Sequence, residues 1–150
     1  MNLKGAIKAG VAAGQPLPDI HAGLRLVTKL EFYRSLLELI GENGVPNILR
    51  CFCGHDCSRC KVLHATIHDD EALRQESAAF YRDTFRREIP PEKLRCFGGR
   101  SGEVMEGCEG CPFSRCCREK GVERCTDCGE YPCRMIAEYE REYVDKVNQV

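Results

Sequence analysis

Twelve cysteines stand between Cys51 and Cys133, and none lies outside that stretch. A chain of 150 residues can use so many thiols in two ways. They form disulfides in an oxidising compartment, or they bind metal as thiolates in a reducing one. The opening "MNLKGAIKAGVAAGQPLPDI" bears on that choice. Gly5, Gly10 and Gly14 interrupt its apolar residues, so it lacks the unbroken run of about seven or more that an export leader carries. Nor does any stretch approach the roughly eighteen apolar residues of a membrane span. The expectation is a cytoplasmic protein with no membrane contact, whose thiols are reduced and available to metal.

The spacings favour metal. The first cluster reads C-x-C-x3-C-x2-C (Cys51, Cys53, Cys57, Cys60), followed by a lone Cys96. Then come C-x2-C-x4-C-C (Cys108, Cys111, Cys116, Cys117) and C-x2-C-x4-C (Cys125, Cys128, Cys133). Two cysteines separated by two residues can both aim their sulfurs at one ion from a tight turn, with backbone amides donating to the thiolates. Tetrahedral zinc then needs a second pair. Cys108/Cys111 and Cys125/Cys128, thirteen residues apart, have the separation of a zinc-ribbon-like site. Cys53, Cys57 and Cys60 offer three ligands to another ion. Its fourth is open among Cys51, Cys96, Cys116, Cys133 and a histidine. Two zinc ions would take eight ligands and leave thiols over. Cys51 and Cys117 are the expected spares, each being too close to another cysteine for easy independent chelation.

Other chemistries are weaker fits. C-x3-C-x2-C is also the spacing of the radical S-adenosylmethionine cluster, but Arg59 stands where an aromatic residue usually precedes the last cysteine. An iron–sulfur centre remains the alternative to zinc, because spacing alone does not separate the two metals. A reactive thiol is a further route to redox chemistry, with Cys133, just after Pro132, the best placed. His64 and His68 share a helical face without an HExxH pattern, and His55 lies inside the first cluster. Asp56 reads as a turn residue and Asp69/Asp70 as a helix cap. Net charge is only −1. Arg95, Arg100, Arg115, Arg118, Lys120 and Arg124 interleave with glutamates, so a nucleic-acid-binding zinc module ranks third.

Apolar periodicity organises the rest. Leu3, Ile7 and Val11 mark a short helix, and Leu26, Leu30, Tyr33, Leu37 and Ile40 one face of a helix over about 21–40. That face is expected to pack on the cysteine-rich part. A helix over about 70–88 starts at Asp69 or Asp70 and presents Leu73, Phe80 and Thr84, with Ala72 and Ala79. Pro90 and Pro91 end it and begin a short turn. The glycine-rich stretch 96–111 is expected to be loop, with room for one short hairpin. A last helix is expected over 132–147. The chain thus divides into a helical extension, 1–48, a cysteine-rich metal-binding domain, 49–139, and the end of the last helix, 140–150. The fold class is mainly α with irregular cysteine-rich loops, a small metal-stabilised domain.

"CGHDCSRC", "ATIHDDEALR", "FRREIPPEKLRC" and "CREKGVERCTDCGEYPC" together resemble a prokaryotic cysteine-rich family of unknown function. Its members carry a CGxxCxxC start and an ending close to EKGVExCxxCxxYPC. The resemblance runs from about Leu49 to Tyr139 and implies a small domain presumed to bind zinc, with no established reaction. It places the family's cysteines on Cys53, Cys57, Cys60, Cys96, Cys108, Cys111, Cys116, Cys125, Cys128 and Cys133. Cys51 and Cys117 are additional. The family often has a second cysteine three residues after the one at Cys96, where this chain has Gly99. The function expected is zinc binding with a mainly structural metal in a protein-interaction module, and no reaction is assigned.

Overall fold

Thr28 divides what the apolar pattern presents as one helix. Its side chain accepts the Glu31 N–H at 3.2 Å, and the Glu31 carboxylate accepts the Thr28 N–H at 2.9 Å. This reciprocal cap starts a helix afresh. The expected helix over 21–40 is therefore two helices with a loop between them. In the computed structural model, which describes residues 2–143 and 146–150, α1 spans Leu3–Ala12, α2 Leu17–Ala22 and α3 Lys29–Gly41. The buried face of α3 is Phe32, Tyr33, Leu36 and Leu39. Leu26 lies in the loop, 98% exposed.

These three helices share a core with the cysteine-rich part. Ile7, Ile20, Phe32, Tyr33, Leu36 and Leu39 form one apolar cluster with Leu49, Cys57, Leu63, Ile67 and Phe97. The Phe97 ring lies 5.0 Å from that of Tyr33. Of the predicted face, Tyr33 is buried and Leu30, Leu37 and Ile40 pack half-buried on this cluster, while Phe32, Leu36 and Leu39, outside the predicted stripe, supply the rest of the buried face. Val62, Ile89, Leu94, Cys96 and Met105 make a second, smaller cluster.

After a 3-10 turn at Cys57–Arg59, helix α4 spans Lys61–Ile67 and α5 Glu71–Phe85. Asp70 caps α5, accepting the Leu73 N–H at 3.0 Å. Arg86, in the left-handed region (φ 53°), ends it before the expected Glu88. Leu73, Ala79, Phe80 and Thr84 are half-buried as the pattern predicts, but Ala72 is exposed and Ser77 is the buried residue. The turn at Pro91–Lys93 is present. Helix α6, Pro112–Lys120, is not anticipated by the periodicity; Pro112 at its first position and left-handed Gly121 after its last are ordinary helix ends. Helix α7 spans Arg134–Tyr143. The expected continuation to 147 crosses 144–145, which lie outside the described residues, and Val147 is not helical. The tail turns back instead, with Gln149 bridging Cys60 and the Val150 N–H donating to Arg59 O at 2.7 Å. Among the described residues there are seven α-helices and no strand, only isolated bridges. The stretch 96–111 carries no hairpin; Phe97 N–H to Glu103 O, 2.9 Å, closes its loop.

One buried side chain fixes where this loop begins. The Thr66 hydroxyl, on α4, donates to Val62 O at 2.8 Å and accepts the Cys96 N–H at 3.1 Å. Valine has the same shape but no acceptor, so Thr66→Val would strand a buried N–H. A buried donor left unpaired costs about 1–3 kcal/mol. Urea unfolding of Thr66→Val should show a loss in that range, and an unchanged midpoint would contradict this role.

Candidate metal centre

All twelve cysteines are free of disulfides. Their sulfurs gather in two regions. In the first, the Cys51 and Cys57 sulfurs are 2.9 Å apart and hydrogen-bonded. Cys57 is buried in the core, and its bond to Cys51, then its burial, push its thiol up. The same bond holds Cys51 below the ordinary thiol range against burial, and the Gly99 backbone and Arg100 add to the effect. Cys60 and Cys96 lie beside this pair. Burial pushes Cys96 up to about 11, and the charges of Cys60 and Cys51 add to it. Cys108 is exposed as a residue, yet desolvation of its sulfur raises it, followed by the repulsion of Cys96, Cys60, Cys51 and Cys111. Burial raises Cys53 to about 11, and the charges of Cys51 and Cys111 add to it. The neighbouring His55 Nδ1 is buried without a hydrogen-bond partner.

The second region is a pocket of about 20 Å3. Cys116 and Cys117 reach it from α6, Cys125 and Cys128 from the 3-10 turn at Cys125–Asp127 and its end, and Cys133 from just before α7. The Cys117 and Cys125 sulfurs are 3.8 Å apart. That is the edge of a tetrahedron with Zn–S bonds of about 2.3 Å. Burial, then the Cys117 thiol, push Cys125 up to about 12. Lys120 donates to the Cys128 sulfur at 3.6 Å and pairs with Glu130. Lining a pocket is not convergence of sulfur, however. Among the described residues, no three cysteine, histidine, aspartate or glutamate side chains stand close enough as they are to hold a metal ion. The sulfurs meet in pairs.

The family described as "Protein of unknown function (DUF3795)" matches residues 49–138. The chain belongs to that family. No curated protein and no solved structure matches it. The DUF3795 region thus covers every cysteine of both clusters and leaves α1, α2 and α3 outside it.

Within the DUF3795 region Cys125 and Cys128 share their pocket with Cys116, Cys117 and Cys133, and Cys108 and Cys111 are not among its lining residues. The thiols whose charge acts on Cys108 are Cys96, Cys60, Cys51 and Cys111. Of the open choices for the first cluster's fourth ligand, Cys116 and Cys133 lie at the other pocket, and Cys51 and Cys96 lie beside Cys57 and Cys60. Both expected spares touch a cysteine of the predicted set, Cys51 against Cys57 and Cys117 against Cys125. Helical spacing, had α6 been read from the sequence, would have marked Cys116 and Cys117 as facing different sides. Cys117 is buried and Cys116 half-buried.

Several of the polar and basic side chains singled out by the sequence are bonded within the protein. His64 Nε2 bonds Ser58 O at 2.6 Å, and Asp56 caps the 3-10 turn by accepting the Ser58 N–H. Arg95 pairs with Glu103. Arg100 joins the two thiol regions: it donates to Arg50 O at 2.8 Å and Glu123 O at 2.6 Å, and lies 4.1 Å over the Phe52 ring. The Cys125 N–H to Phe52 O bond, 2.9 Å, runs alongside. Two charge-assisted bonds and a cation–π contact predict that Arg100→Ala lowers stability by about 2–4 kcal/mol. Arg100→Lys should recover little of it, because an ammonium cannot bridge two carbonyls while lying flat on a ring. Thermal and urea unfolding of the two variants would check both statements.

Proposed function

We propose that this DUF3795 protein binds zinc, two ions to a chain, and that the metal is structural. The observation that carries this reading is the pocket of about 20 Å3 lined by five cysteines from three separate segments. That volume suits one water or one ion. Protonated thiols make poor lining for a water, because a thiol is a weak donor and a weak acceptor. Thiolates are the preferred donors of zinc and of iron–sulfur centres. The Cys117–Cys125 spacing is already a tetrahedral edge, so turning two further sulfurs inward would complete a four-cysteine site. The burial and crowding that raise the pKa of Cys125 are what a cation offsets, since a coordinated thiol is deprotonated outright.

A zinc ion with four thiolates has no vacant position for a substrate. Its contribution is to folding, and in small fingers it amounts to roughly 10–16 kcal/mol. The biological role then belongs to the surface that the ions hold in shape, as a module that meets another protein. The engagement of Arg95, Arg100 and Lys120 by protein groups leaves fewer free cations for phosphate, and so favours a protein partner over nucleic acid.

Metal analysis of protein purified without oxygen tests the reading. About two zinc ions per chain are expected. Chelation should then open the segment 108–133 to proteolysis before the core around Phe32 and Phe97. Iron in place of zinc, with absorption in the visible range, would move the assignment to the iron–sulfur alternative. Protein with neither metal, still protected over 108–133, would end it.

A further inference from the structure

Gly99 admits a contact that no other residue would. A Cβ built on it would stand 2.3 Å from the Cys51 sulfur, well inside van der Waals distance. Gly99 is not among the residues with positive φ, so the requirement is for space rather than for an unusual backbone. The Cys51 sulfur is also held from its own side. The Cys51 N–H donates to His55 O at 2.8 Å, and Arg50 bridges Asp56 across the same tight loop.

A backbone donor already meets one of these sulfurs. A Cβ on Gly98 would stand 3.7 Å from that of Cys57, the Cys51 and Cys57 sulfurs are 2.9 Å apart, and the Gly98 N–H donates to the Cys96 sulfur at 3.3 Å. Amide donors of this kind orient thiolates and spread their charge around a metal. They have little to gain from neutral thiols. Arg100 adds a positive charge beside Cys51.

We propose that Cys51 is a ligand, with Cys57, Cys60 and Cys96, of a thiophilic divalent cation, and that Gly99 is the residue that makes room for its sulfur. This rests on the zinc reading above and names the fourth donor of the first cluster. On binding, the four thiols release their protons to solvent, and the Cys51–Cys57 pair opens from 2.9 Å towards the tetrahedral edge of about 3.8 Å. No electron is transferred. Cys53 and Cys108 lie outside this set.

The test moves the sulfur from one side of the contact to the other. Zinc per chain would be measured for the wild type, for Cys51→Ala, and for Cys51→Ala combined with Gly99→Cys. Cys51→Ala should lose one equivalent, and the double substitution should regain it, because its sulfur would enter the same space from residue 99. In unaltered protein, iodoacetamide should label Cys51 only after zinc is removed by chelation, which needs no variant to fold. Loss and recovery of the equivalent, with chelator-dependent labelling, support the proposal. Full zinc content in Cys51→Ala, no recovery in the folded double variant, or Cys51 labelling indifferent to chelation would overturn it. A wild type without metal would instead remove the zinc reading itself.

Discussion

Sulfur anions cannot crowd together without a cation, and this rule governs the cysteine-rich loops. Burial and mutual repulsion hold Cys53, Cys57, Cys96 and Cys125 in their neutral form. A neutral thiol is only a small apolar group with weak hydrogen bonds. As such these cysteines contribute little to order in loops with few large apolar side chains. As thiolates around an ion, Cys116, Cys117, Cys125, Cys128 and Cys133 would tie α6, the 125–128 turn and the start of α7 to one point.

Ordinary packing holds the helices to these loops. Phe32, Tyr33, Leu36, Leu39 and Phe97 are buried together, and the first three helices close over the loop that presents Cys57. Helical extension and thiol loops therefore share one apolar cluster. Arg100 performs a similar joining task with polar bonds, its two carbonyl acceptors belonging one to each thiol region.

How much was legible depended on range. Short-range signals were clear: Asp70 caps α5, the Pro91 turn forms, and the apolar face of the first helices finds the thiol-bearing segment. The capping box of Thr28 and Glu31 was also present in the sequence, but the apolar period running through Leu26 masked it. Helix α6 carries a proline at its start and a glycine at its end, yet its interior is charged and offers no apolar stripe to read. The meetings between distant cysteines were not legible. Spacing describes which sulfurs a single turn can bring together, and the meeting of Cys117 with Cys125, or of Cys51 with the empty side of Gly99, depends on how distant turns are stacked.

The return of the tail has a practical corollary. Residues 148–150 run along Arg59–Lys61, with Gln149 opposite Cys60. Any affinity handle fused after Val150 would emerge against the sulfur-rich loop, whereas one placed before Asn2 would leave from the first helix. Recombinant material intended for metal work is better tethered by its amino end.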